Sequence, residues 1–145
     1  MSLGNNVSVG RGCIFESMAG KISIGNGTGF NSNCTLGADF GSISIGNDVI
    51  IGMNTVMRAA NHRFDMGSQT LIRKQGHIEG DIIIEDDVWI GANVTINSGV
   101  RIGSHSVIGS GAVVTSDIPE GVVAVGIPAR ELRKIEKKSV GISPK

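Results

Sequence analysis

Few side chains in this chain of 145 residues could carry chemistry. It has three histidines, His62, His77 and His105, two cysteines, Cys13 and Cys34, one tryptophan, Trp89, and no tyrosine. A neutral imidazole exchanges protons near pH 7, so each histidine is a candidate base or metal ligand. Their separations of 15 and 28 residues show none of the close pairing that zinc ligands often have. Asp39 is a candidate to bind a hydroxyl, to orient a histidine, or only to shape a turn. Arg130, Arg133 and Lys134 form a basic group that could meet phosphates or simply face water. Two cysteines are too few for a disulfide framework, so a reducing, cytoplasmic setting is expected.

The elements that must position these groups follow from a repeat. Isoleucine and valine total 34 while leucine numbers four, which favours a β-rich fold over a helical bundle. From Ile84 an aliphatic residue recurs at every sixth position: Ile84, Ile90, Ile96, Ile102, Ile108 and Val114. Four places after each of the first five comes a small or branched residue: Val88, Val94, Val100, Ser106 and Ala112. The same unit occurs earlier, in Val9-Gly10, Ile24-Gly25, Ile45-Gly46 and Ile51-Gly52. A period of six fits neither a helix nor one flat strand. It fits short strands joined by corners, three to a coil of about eighteen residues, with coils stacked at about 4.8 Å. The aliphatic anchors point inward, and glycine is expected at the corners, where positive φ is tolerated. Coils are expected over residues 7–125. Cys13 and Cys34 take the fifth, small core position, on different sides of the coil.

The interruptions of the repeat matter as much. With coils starting at Val9, Ile24, Ile45, Ile84 and Ile102, all extra residues fall at one corner, and insertions stacked on one edge usually mark a working face. The longest, an extruded loop over 61–81, opens with Asn61-His62 and nears its end at Gln75-Gly76-His77. A loop of this length in a compact repeat is usually functional. After Val114 the pattern fades into one more short strand, and Pro128 is expected to open a helix over 128–138 that caps the stack.

Composition excludes several classes. Thirteen basic residues balance thirteen acidic ones, so no field favours nucleic acid or a membrane surface. No apolar run approaches the ~18 residues of a membrane span, and the first residues do not read as a signal peptide.

The Ile-Gly-x-x-Val/Thr units, the loop beginning Asn61-His62, the run Asp87-Val88-Trp89-Ile90-Gly91-Ala92, and the stretches Val113–Pro119 and Gly126–Arg130 resemble the hexapeptide-repeat acyltransferases. Among these the galactoside and maltose O-acetyltransferases, and their relatives of capsule and O-antigen synthesis, are most similar. The resemblance implies an all-β, left-handed parallel β-helix. It implies a homotrimer, with acetyl-CoA as cosubstrate in clefts between subunits and no metal required. It places the catalytic histidine at His62. Acceptor contacts fall at Asn31, Asp39 and Trp89. Residues like those lining the CoA cleft fall at Gly52, Ala92, Ser110, Thr115, Ser116, Arg130 and Arg133. Relatives often carry serine at Ala92 and lysine at Ser116, so those side-chain contributions have no counterpart here. One side of a coil spans roughly 16–20 Å. Asn31 and His62 therefore belong to one site only across a subunit interface.

The expected chemistry is acetyl transfer to a sugar or polysaccharide hydroxyl in polysaccharide biosynthesis, with His62 as general base. A backbone N–H near Ala92 would hold the oxyanion. The alternative is N-acetylation of an amino sugar linked to a nucleotide, which the same base serves. Lesser alternatives are a metalloenzyme of the γ-type carbonic anhydrase kind and a non-catalytic β-helix scaffold.

Overall fold

A computed structural model of the chain describes residues 1–67 and 69–137. Short strands stack into three sheets, the sides of a three-sided coil. Side one orders Ser2–Leu3, Ile22–Ile24, Ile43–Ile45, Ile82–Ile84 and Arg101–Ile102, all parallel. Side two runs Ser8–Val9, Gly29–Phe30, Ile50–Ile51, Trp89–Ile90, Val107–Ile108 and Val122–Val125, also parallel. Side three stacks Ile14–Ser17, Thr35–Ala38, Val56–Arg58, Thr95–Ile96 and Val113–Val114. The architecture is a left-handed parallel β-helix.

The six-residue anchors become three buried columns. Ile24, Ile45, Ile84 and Ile102 stack on side one; Phe30, Ile51, Ile90 and Ile108 on side two; Leu36, Met57, Ile96 and Val114 on side three. Each fully buried aliphatic side chain contributes roughly 1.5–3 kcal/mol. The small polar residues at the fifth position are also buried, and their hydroxyls donate to backbone carbonyls. Thr28 reaches Gly46 at 2.8 Å, Thr55 reaches Gly91 at 3.3 Å and Ser106 reaches Pro119 at 2.7 Å. One outer edge carries an amide ladder, in which the backbone N–H of Asn5, Asn26 and Asn47 donates to the side chain of Asn26, Asn47 and Asp86 in turn.

Glycine and the corners divide their work differently from the sequence expectation. The left-handed corner residues are often not glycine: Asn33, Asp48, Asn54, Asp87, Asn93 and His105 all have positive φ, 54–61°. Asn and Asp tolerate this conformation through local hydrogen bonds. The glycine after an anchor is needed for close approach instead. A Cβ on Gly25 would lie 2.5 Å from the carbonyl carbon of Gly46 in the next coil.

Four further expectations are corrected. The first coil starts at Ser2–Leu3, paired with Ser23 and Ile24, not at residue 7. Val9 therefore lies on side two, against Phe30. Cys13 and Cys34 occupy the same corner of consecutive coils, not different sides, and both Sγ atoms donate to the Asn31 carbonyl, at 3.0 and 3.3 Å. They remain free thiols. The proposed helix over 128–138 is absent among the described residues, and Lys138 lies outside them. Arg130–Lys134 is instead an antiparallel strand on Val122–Val125. The last strand of side two would otherwise leave a row of unpaired backbone groups, and pairing with them overrides local helix preference.

Candidate active site

The connection from side three back to side one carries the extra residues in the first three coils. The short one of the second coil holds Asp39 and Phe40; the long one leaves the coil as a hairpin. Its strands, Ala60–His62 and His77–Glu79, pair antiparallel, with His62 opposite His77. Beyond the paired strands the hairpin is tied by Arg63 N–H to the Gly76 carbonyl at 3.0 Å and by Asp65 N–H to Gln75 Oε1 at 2.7 Å. A short 3-10 turn, Ile72–Lys74, lies near its end. No helix among the described residues is long and apolar enough to cross a membrane.

A cavity of about 340 Å³ opens where this hairpin meets side three, lined by Asp39, Arg58, Asn61, His62, His77 and Asn97 among others. The lining explains itself by register. Phe15, Leu36 and Met57 stack inward, so the next residues, Glu16, Gly37 and Arg58, stack outward. Gly37 lacks the side chain that would block the guanidinium, since a Cβ there would lie 2.6 Å from Arg58 Nη1. Arg58 therefore lies across Gly37. It donates to the Asp39 carboxylate and lies 3.9 Å from Glu16. Asp39 is mostly covered, its side chain only 15% exposed. Its charge is thus matched within the cavity wall.

The His62 ring is exposed, and one face rests on His77, with centroids 4.4 Å apart. His77 in turn stacks on Phe40 at 4.3 Å. The structure puts His77 in the cavity beside His62. His105 lies at the surface, paired with Asp87 at 2.8 Å.

The remaining candidate residues are spread along the coil. Asn31 sits at the corner between sides two and three, where its side chain accepts the Ser32 N–H at 2.8 Å, outside the cavity lining. Trp89 is half-exposed on side two, between Ile50 and Val107. Gly52, Ala92 and Ser110 stack at the corner between sides two and three. The Ala92 N–H donates to Ser110 Oγ at 3.1 Å, so it would have to exchange that partner to hold an oxyanion. Thr115 and Ser116 are exposed just past side three. Arg130 and Arg133 are exposed on the returning strand, donating to the carbonyls of Ala129 and Lys134. One chain thus brings Asp39 and His62 together and leaves Asn31 and Trp89 elsewhere.

Sequence reasoning missed Arg58, Phe40 and Asn97, and did not pair His77 with His62. The spacing of 21 between Glu16, Gly37 and Arg58 is the signal that could have found Arg58, because it equals one coil plus one short insertion. Nothing local marks the Phe40–His77 contact. Cys34 is inert for a plain reason: burial pushes its thiol up to about 11, so it carries almost no thiolate at neutral pH.

The model of bacterial transferase hexapeptide repeats matches residues 81–116. No curated protein matches the sequence. Among solved structures, a hexapeptide-repeat acetyltransferase from Vibrio cholerae, complexed with acetyl coenzyme A, is 37% identical. The match covers 94% of this chain and 72% of that one, with a TM-score of 0.81. A maltose O-acetyltransferase from Clostridium difficile is 33% identical over 94% and 70% of the two chains, with a TM-score of 0.81. The N-acyltransferase AntD from Bacillus cereus, in complex with dTDP and 3-hydroxybutyryl-CoA, is 26% identical over 94% and 73%, with a TM-score of 0.82. A three-sided β-helix with a hairpin leaving one corner defines a class of transferases, and this chain belongs to it. It is a member of the hexapeptide-repeat acyltransferase family.

Proposed function

We propose that this enzyme transfers an acetyl group from acetyl-CoA to a hydroxyl of a sugar or polysaccharide, with His62 as general base. The observation that carries the reading is the position of His62. It is an exposed imidazole at the start of the extruded hairpin, in a cavity whose other wall holds an Arg58–Asp39 pair. A sugar hydroxyl is a poor nucleophile at pH 7. A neutral imidazole that takes its proton as oxygen attacks the thioester carbonyl contributes typically ~10²–10⁴-fold. The tetrahedral oxyanion then collapses, the C–S bond breaks, and the CoA thiolate leaves and takes up a proton. No acyl-enzyme and no metal are needed. Backbone N–H groups near Ala92 are the candidates for holding the oxyanion.

The acceptor-contacting residues argue for a site built from two chains of a homotrimer. Asn31 and Trp89 lie outside the His62 cavity of their own chain, and a three-fold interface would bring them to a neighbour's. Gly52, Ala92, Ser110, Thr115, Ser116, Arg130 and Arg133 are the proposed CoA contacts, with the arginines facing phosphate. The free thiols fit a cytoplasmic enzyme of polysaccharide synthesis. N-acylation of an amino sugar is the second reading, and the likeness to AntD favours it.

Calorimetric titration with acetyl-CoA tests the donor without a guess at the acceptor. Saturable micromolar binding near one per subunit supports the reading; no heat and no thermal shift at millimolar acetyl-CoA overturns it. A panel of sugars and amino sugars, scored by release of CoA thiol, then separates O- from N-transfer. A monomer by light scattering removes the two-chain site.

A further inference from the structure

We propose that His77 is a positioning residue: it is the middle ring of a three-ring column, Phe40–His77–His62, that holds the His62 imidazole in its working orientation. The inference rests on His62 being the base. Three observations converge on it. The hairpin register sets His77 directly opposite His62, and directly opposed residues of an antiparallel pair project to the same side. The two rings are 4.4 Å apart and tilted by 41°. His77 is itself stacked on Phe40, at 4.3 Å and 25° from parallel.

The column joins two insertions that are distant in sequence. Phe40 comes from the short insertion of the second coil, and both histidines come from the hairpin of the third. A histidine ring by itself turns broadly about its second side-chain torsion. On an exposed strand end that freedom would scatter the proton-accepting nitrogen. Contact with a neighbouring ring restricts that freedom, while His62 stays exposed in the cavity lining. His77 is held between two rings and is partly buried, whereas His62 is exposed. The outer ring is therefore the one presented to an acceptor. A base misplaced by about 1 Å can cost up to ~10²-fold in rate, so a small change in this column reaches the chemistry.

The test is nuclear magnetic resonance of the full chain carrying ring-labelled histidine, with the His62 signals identified by their loss in H62A. His62 ring protons are expected to be displaced by the neighbouring ring, to return toward free imidazole in H77A, and to stay displaced in H77F, which keeps a ring but cannot take a proton. With an acceptor from the panel, H77A lowers kcat by roughly 10- to 100-fold with the KM for acetyl-CoA little changed. H77F recovers most of that loss. F40A reproduces the H77A signature more weakly, which keeps the test decisive should H77A fold poorly. Unchanged His62 signals and unchanged kcat in H77A overturn the proposal. So does an H77F as inactive as H62A, because His77 would then itself move a proton. A wild-type protein that binds no acetyl-CoA overturns the transfer reading alone, and the resonance measurement still decides the column.

Discussion

In the stacked coils Ile96 is flanked by Met57 and Val114, residues of its own kind one coil below and one above. In the hairpin His62 meets His77, fifteen residues on and running the opposite way, and through it Phe40 from another coil. The coil buries its anchors on a repeated rule. The hairpin leaves large apolar groups uncovered: Phe64 is 68% exposed, Met66 99% and Leu71 64%. The difference separates stability from chemistry. The coil holds the fold through many equivalent contacts, whereas the cavity depends on a few individual ones.

Substitutions on the two sides of that divide should give opposite signatures. His62→Ala is expected to lower kcat by ~10²–10⁴-fold while leaving the melting temperature nearly unchanged, because the ring is exposed. Thiol release and calorimetry read the two effects, and retained activity would remove His62 as the base. Ile96→Ala should do the reverse in the first instance, costing ~2–5 kcal/mol of stability by denaturant unfolding, since its side chain is fully buried between two coils. Gly25→Ala sharpens the comparison further. The added methyl would meet Gly46 at 2.5 Å, and a loss of ~1–3 kcal/mol is expected.

Glu85 offers a pH-dependent test within the coil. Hydrogen bonds from the Ser104 N–H and hydroxyl, reinforced by Arg101, hold its carboxyl below the usual value of 4.5. A depressed carboxyl stabilises the fold above its unfolded pKa, and that contribution fades as pH falls through the folded one. Glu85→Gln should therefore melt earlier than the parent at pH 7, with the gap closing below pH 4.5. A gap that widens on acidification would break the assignment. The smallest effect is expected at Gly67 in the hairpin, where a Cβ would meet nothing within 4 Å. Gly67→Ala should change stability by less than ~1 kcal/mol, in either direction.

Much of this architecture was legible in the chain. The anchors Ile84 through Val114 mark the buried columns because each position of a coil sees the same neighbours at the same spacing. The three insertions mark the working corner because a regular stack has nowhere else to put extra residues. The C-terminal strand was not legible. Pro128 and the residues after it suit a helix locally, and only the open edge of Val122–Val125 makes a strand the better partner. Cys13 and Cys34 were misplaced because the coils were counted from Val9, which pairs with Phe30 on side two, so both cysteines fall at one corner. His62 was found through its place at the start of the loop. Arg58 was not, because its role depends on Gly37 having no side chain.

The repeat alone specifies the coil, its inward anchors and the corner from which the hairpin leaves. A short period repeats the same local physics, so local pattern and final contact agree. Only the tertiary structure decided that Arg58 crosses Gly37 to Asp39, and that Phe40, His77 and His62 form one column. Gly37 and Arg58 share the coil spacing, but Asp39, Phe40, His77 and His62 do not, and the contacts exist only once coil stacking and hairpin pairing have brought separate insertions to the same edge.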